Sequence, residues 1–342
     1  MKKYRLLATL LFLFSSLPSI AQFEGNNSFN FLDANLNARV AASGGMNVSI
    51  RDQDVNFFQY NPALLNTKMH RLASINYVPY FADINATSLA YADEIKGFGS
   101  VGASLNYISY GQFQGFDPSG NATSKFTGNE GVFTLSHARQ SGNFTFGANL
   151  KFAGSGMANY GAFGTFLDLG GAFVHPKQEL VVGLTIRNVG FIVKNYYAGA
   201  PTSMPLNAVL GITFKPKHAP IRISITASQL NNPTFGGESI PAIQAVLMHF
   251  SGGAELLLGK GFHLRGGYNF QQRNELSTAN NIGSAGLYLG AMIRVKMFEF
   301  AYTWASYSVL NGTSFLTLSI DVNQFINKPQ YLPTNNTTPD AP

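Results

Sequence analysis

Asp52, Asp54 and Asn56, in the stretch DQDVN, stand at alternate positions, as the first oxygen ligands of a calcium loop do. Such a loop also needs glycine at its sixth position and glutamate at its twelfth, where this chain has Phe57 and Ala63. The two aspartates therefore read as an acidic turn or as partners in an ion pair. GFGSVG, residues 97–102, spells the dinucleotide fingerprint, but that fingerprint must open a helix whose N-terminus receives the pyrophosphate. Here ASLNYISY follows with strand-like alternation, so the glycines read as a turn and a closely packed strand. The serine-hydrolase elbow G-x-S-x-G is missing, and the six histidines (70, 137, 175, 218, 249, 263) show no metal-ligand spacing. With no cysteine, disulfides, thiolate metal sites, cysteine nucleophiles and a lipidated cysteine are all excluded. Arg222, Arg265, Arg294, Glu255 and Glu299 alternate with apolar neighbours and read as an internal ion-pair lining. No catalytic, metal or cofactor site is expected, and the chain reads as a non-enzyme.

The elements that must position these charges are strands. In NFTFGANLKF, residues 143–152, Phe144, Phe146, Ala148, Leu150 and Phe152 share one face; Thr145, Gly147, Asn149 and Lys151 share the other. IRISITAS, FHLRGGYNF and FEFAYTW repeat the pattern. Fourteen such stretches are expected, at about 68–80, 84–94, 98–110, 125–139, 143–153, 158–175, 179–189, 205–215, 220–229, 242–259, 261–271, 281–295, 297–307 and 313–323. Their connections alternate in length. IKG, QSG, PKQ, KPKHAP, GKG and a turn near Lys296 are short; residues 111–124, 190–205, 229–242 and 272–281 are long. Short turns on one rim and long loops on the other mark an outer-membrane barrel, with the short rim towards the periplasm. The phenylalanines then face lipid and the polar row faces a wet lumen.

Composition agrees. Charged residues make up 12%, about half the usual share, while Phe and Tyr number 29 and 15 and Gly 35. Residues 1–21 read as a secretory signal: basic MKKYR, apolar LLATLLFLF and a small-residue end at Ser19 and Ala21. Removing its three cations and no acid lowers the formal charge from +6 to +3. No basic run offers a footprint for nucleic acid. Residues 22–67 read as an N-terminal plug segment, 68–323 as the barrel and 324–342, rich in Pro, Asn and Thr, as a disordered tail. A barrel of fourteen strands is too wide to be filled by its own wall side chains, so something must plug it.

The plug pattern lies in NARVAASGGMNVSIRDQDVNFFQYNPALL, residues 37–65: a short helix, a Gly-Gly break, an acidic turn and an Asn-Pro-Ala corner. Arg39 with AASGG (Gly44 and Gly45), the turn holding Asp52 and Asp54, and NPALL with Asn61 and Pro62 resemble the plug of fatty-acid-transporter-like (FadL-type) barrels. Within these, the pattern is similar to the barrels of the Bacteroidetes type IX secretion system. The resemblance extends over the mature chain in length, strand number and plug position, with motif identity confined to about residues 29–65. It implies an all-β, FadL-like transmembrane antiparallel barrel of about fourteen strands, with a luminal plug containing a short helix. It also implies a non-enzymatic outer-membrane subunit of the attachment complex. Its partners would be outer-membrane lipid and lipopolysaccharide, a PorZ-like surface protein, a PorU-like sortase and a PorV-like barrel. The alternative is a FadL-like channel for hydrophobic solutes. Phe191, Tyr196 and Tyr197, in the expected loop GFIVKNYYAG, offer aromatic anchors for a docked partner or for the membrane interface.

Overall fold

The structure, a computed structural model, describes residues 28–200, 203–232, 240–276, 284–307 and 312–326. The expected signal at 1–21, the tail beyond 326 and most of the long connection around Gly236 lie outside the described residues. Fourteen strands form one closed antiparallel barrel. They are β1 Leu72–Pro79, β2 Asn85–Ile95, β3 Gly99–Phe116, β4 Ala122–Ser141, β5 Phe144–Met157, β6 Tyr160–Val174 and β7 Glu179–Lys194. The second half comprises β8 Asn207–Lys215, β9 Ile221–Ala227, β10 Phe250–Leu257, β11 Phe262–Asn269, β12 Leu287–Val295, β13 Phe298–Ser306 and β14 Gly312–Asp321. Each strand pairs with its sequence neighbours, and β1 closes on β14 from Leu72↔Asp321 to Tyr77↔Leu316. No sheet edge is left to pair with another chain.

The barrel is polar inside and apolar outside. On β5, Phe144 and Phe146 are 51% and 62% exposed, while Thr145, Asn149 and Lys151 are 1%, 0% and 3% exposed. In water that arrangement would be costly; in a bilayer it puts aromatic rings against lipid, while Asn149 and Lys151 donate to Asp168 and Asn188 within the lumen. Ile221, Ile223 and Ile225 on β9 face outwards in the same way, opposite buried Ser224 and Thr226. The chain is a multi-pass outer-membrane β-barrel.

The wall has uneven height. Strands β3 to β7 run 14–20 residues, whereas β8 to β14 run 7–10. About 9–11 residues cross a bilayer, so the longer strands form a raised wall above the rim of long connections. Residues 111–124, expected as a loop, are mostly ladder. A register shift between Ser109 and Gln112 lets β3 and β4 continue pairing to Phe116↔Ala122. The turn residues Asp, Pro, Ser, Gly and Asn occupy only the tip, where Asp117 Oδ1 accepts from the amides of Ser119 and Asn121.

Two other expected strands begin or end in helix. Residues 242–248, AIQAVLM, form a helix led by Pro241 before β10 begins at Phe250. Alanine, glutamine, leucine and methionine all favour helix, and the proline fixes the entry. Phe270–Leu276 likewise turns helical at the end of β11. A further short helix, Asn323–Ile326, follows β14 where the tail was expected to start.

Candidate functional site: the plugged lumen and its outer mouth

The segment from Ser28 to the start of β1 folds back inside the barrel. Asn37 caps a five-residue helix, Ala38–Ala42, by accepting from the amides of Arg39 and Val40 at 2.9 Å each. The same side chain donates to Asn76 on β1, which ties the helix start to the wall. Gly44 and Gly45 then reverse the chain at φ +92° and +88°. A Cβ on Gly44 would lie 2.7 Å from the Tyr268 carbonyl oxygen of β11, so only glycine lets the plug backbone touch the wall there. Farther on, Asn61 caps the turn at Pro62–Leu64 and donates to the Val48 carbonyl at 2.9 Å. This corner rests on wall glycines, Gly147 among them, where a Cβ would approach the Pro62 carbonyl carbon to 2.6 Å. Between these fixed points Val40, Val48, Ile50, Phe57 and Leu64 form a small apolar core inside the polar barrel.

Most of the charges named from the sequence converge on one cluster. Arg39 forks to two carboxylates, through Nε to Glu255 Oε1 at 2.6 Å and through its two terminal nitrogens to Asp52 at 2.9 and 2.7 Å. Asp54 lies 3.6 Å away, and the guanidinium sits 5.3 Å from the centre of the Phe57 ring. From the wall, Arg222 reaches Glu255 at 2.5 Å and Asp52 at 3.2 Å, and Arg265 approaches Glu255 at 3.0 Å. Three guanidiniums thus meet three carboxylates, two of them on the plug and one on β10. Burial alone would push the Asp52 carboxyl up, but Arg39 and Arg222 outweigh it and hold it well below the usual carboxylate range. Burial dominates at Asp54, whose carboxyl is pushed up. Arg51 stands apart, donating to Gln140 at 3.1 Å, and Arg294 pairs with Glu299 on the neighbouring strand.

Two further buried ion pairs join the lumen's lining, the first within the wall and the second from wall to plug. Lys151 and Asp168, buried on β5 and β6, pair at 2.7 Å. Arg187 on β7 binds Asp33 at 3.0 Å and donates to the Leu32 carbonyl, pinning the first plug residues to the raised wall. A bulge explains the second attachment: Asn188 at φ +61° turns inward beside Arg187, and it too donates to Asp33. A sequence pattern of period two assigns adjacent residues to opposite faces and misses such a pair.

The raised wall encloses an open cup of about 810 Å³ at the outer mouth. Tyr110, Phe126, Met157, Tyr160, Tyr196 and Tyr197 supply its apolar lining. Tyr196 of this lining also packs on the cluster of Phe29, Leu32, Ala162 and Phe166, which joins the cup to the first plug residues. Tyr160 and Tyr197 are 60% exposed and Met157 48%, leaving an apolar surface inside a concavity of ligand size. Phe191, Tyr196 and Tyr197 do not form one exposed loop. Phe191 lies on β7, paired to Thr165, in the outward row of Leu184, Ile186 and Val189. Tyr196 turns inward, packs on the plug-facing cluster and donates to Ser155 at 2.5 Å. Tyr197 alone combines exposure with a place in the connection beyond β7.

No protein-family model matches the chain, and no curated protein matches it. Among solved structures it is similar to the Pseudomonas putida toluene transporter TodX, at 13% identity and a TM-score of 0.50, covering 84% of this chain and 96% of that one. A TodX deltaS2S3 mutant, described as a monoaromatic hydrocarbon channel, matches at 11% identity and a TM-score of 0.51, covering 83% and 96%. A FadL homologue of Pseudomonas aeruginosa matches at 12% identity and 0.48, covering 83% and 98%. The two TodX structures share the barrel fold of this chain.

Proposed function

We propose that this barrel captures small apolar compounds at the cell surface and passes them into or through the outer membrane, without enzymatic chemistry. The cup carries this reading. It is concave, apolar and of ligand size, it opens at the outer mouth, and it sits on a scaffold shared with a toluene transporter. Burying an alkylbenzene against the Met157, Tyr160 and Tyr197 side chains would remove apolar surface from water at about 25 cal/mol per Å². Passage from the cup towards the lumen leads past Tyr196 and the Phe29 and Leu32 side chains it packs on.

The test is saturable binding of tritiated hexylbenzene to the full-length barrel in nanodiscs. Met157→Asp places a charge in the lining at an exposed strand end, where the ladder is untouched. Binding is expected to weaken about tenfold or more, with the barrel's heat-modifiable mobility unchanged. Equal binding by wild type and variant would remove the cup from the account.

The closed lumen favours a second reading, a PorQ-type docking barrel of the type IX secretion system. In that role the output is affinity for a PorZ-like surface protein, beside a PorU-like sortase and a PorV-like barrel. Residues 29–65 carry the motif likeness behind it, and the ion-paired plug suits a barrel that need not conduct. Deleting the protein separates the two readings. Loss of apolar-compound uptake with surface proteins retained supports capture; loss of a surface protein with uptake unchanged supports docking.

A further inference from the structure

The cup has one charged group, and its surroundings define what the apolar ligand carries at its polar end. Glu130, on the inward row of β4, is half-buried in the lining. Tyr110 donates its hydroxyl proton to Glu130 Oε2 at 2.5 Å, and Ser155 donates to Oε1 at 3.0 Å. Tyr196 in turn donates to Ser155 Oγ at 2.5 Å. All three hydroxyl protons therefore run towards the carboxylate and are already committed. What the polar corner still offers is lone pairs, because an ionised carboxylate accepts about four hydrogen bonds and two are filled. Among the described residues no cation pairs with Glu130, so its negative charge is uncompensated by the wall.

Resting on the reading of the cup as a capture site, we propose that its ligands are apolar molecules with a hydrogen-bond-donating head, neutral or cationic, such as alkylphenols and arylalkylamines. Carboxylate amphiphiles, fatty acids included, are rejected. A phenol or ammonium placed beside Glu130 donates into a free lone pair while its alkyl or aryl body covers Met157 and Tyr160. A ligand carboxylate in the same place meets only acceptors and a like charge.

Three probes of equal size test this: 4-hexylphenol, 4-hexylbenzylammonium and 4-hexylbenzoate, each displacing tritiated 4-hexylphenol from the full-length barrel in nanodiscs. The phenol and the ammonium are expected to displace at concentrations about tenfold or more below the benzoate. Glu130→Gln keeps the shape and one acceptor but removes the charge and adds a donor, so the preference should shrink to within about threefold. Tyr110→Phe provides a second variant, since freeing a lone pair on Glu130 should strengthen ammonium binding without helping benzoate. Equal, Met157→Asp-sensitive displacement by all three probes would overturn the selectivity and leave the capture reading standing. Absence of saturable binding by all three and by hexylbenzene would overturn both. A preference for phenol and ammonium that survives Glu130→Gln unchanged would remove Glu130 as its cause.

Discussion

Arg39→Ala is expected to unseat the plug and turn a silent barrel into one that conducts ions. Arg39 is the only plug cation in the cluster, and it binds plug and wall carboxylates at once, Asp52 on one side and Glu255 on the other. Its removal leaves Asp52, Asp54 and Glu255 with two guanidiniums, both on the wall. Removing one partner of a buried pair costs about 3–5 kcal/mol when the other is left without a counter-ion; here Asp54 loses its cation outright, while Asp52 and Glu255 keep Arg222. Asp33 on Arg187 and Asn37 on Asn76 still hold the start of the segment, so the acidic turn that follows is the part a penalty of that size would displace. Planar-bilayer recordings should show frequent openings for Arg39→Ala and few for wild type. Arg39→Lys keeps the charge but not the two-sided fork, so intermediate behaviour is expected. Silent recordings from a folded Arg39→Ala barrel would mean that the apolar contacts alone retain the plug.

Acid works on the same cluster with a known sign. The folded Asp52 carboxyl is held well below its ordinary value, so its contribution to stability is present above that value and is lost only as pH falls through the depressed one. Asp54 is raised by burial, so its opposing cost at neutral pH is relieved as it takes up a proton first. The wild-type barrel should therefore stay closed from pH 7 to about 4, the ordinary carboxylate range.

Deleting residues 37–60 is expected to give the largest change in conductance. The ladder closes through pairs between β1 and β14, none of them to residues 37–60, so the deletion either leaves a folded open wall or blocks assembly, and the recordings use barrels with folded mobility. The deletion removes the capped helix, the acidic turn and most of the luminal apolar core together. Arg222, Arg265 and Glu255 would then line an open, hydrated passage. A folded deletion barrel with the conductance of the intact protein would show that residues 37–60 do not obstruct the lumen.

Much of this architecture was legible in the chain because period two survives wherever one face meets lipid. Phe144 to Phe152 announce their orientation without any tertiary information, and Arg222, Glu255 and Arg265 could be assigned to the lumen for the same reason. The pattern fails where local chemistry competes with it. AIQAVLM has the hydropathy of a strand, yet Pro241 and good helix formers make it a helix. GQFQGFDPSGNATS has the composition of a loop, yet a bulge near Gly111 lets the ladder continue through much of it. The cup was not legible at all. Glu130 meets Tyr110 across a hairpin whose register shifts between them, Ser155 is its register partner on the next strand, and Tyr196 reaches Ser155 from the connection beyond β7. Tyr196 and Tyr197 are adjacent and chemically alike, so nothing local says that one is pinned inward while the other remains exposed.

The central claim, capture of apolar compounds in the outer cup, is tested most directly by locating a heavy-atom ligand. A crystal of the full-length barrel soaked with 1-bromo-4-hexylbenzene reports the bromine position by anomalous scattering. A bromine peak is expected inside the cup beside Met157, Tyr160 and Tyr197, and its loss in Met157→Asp. Bromine found only along the lipid-facing wall, with the cup of the wild-type barrel unoccupied, would contradict it.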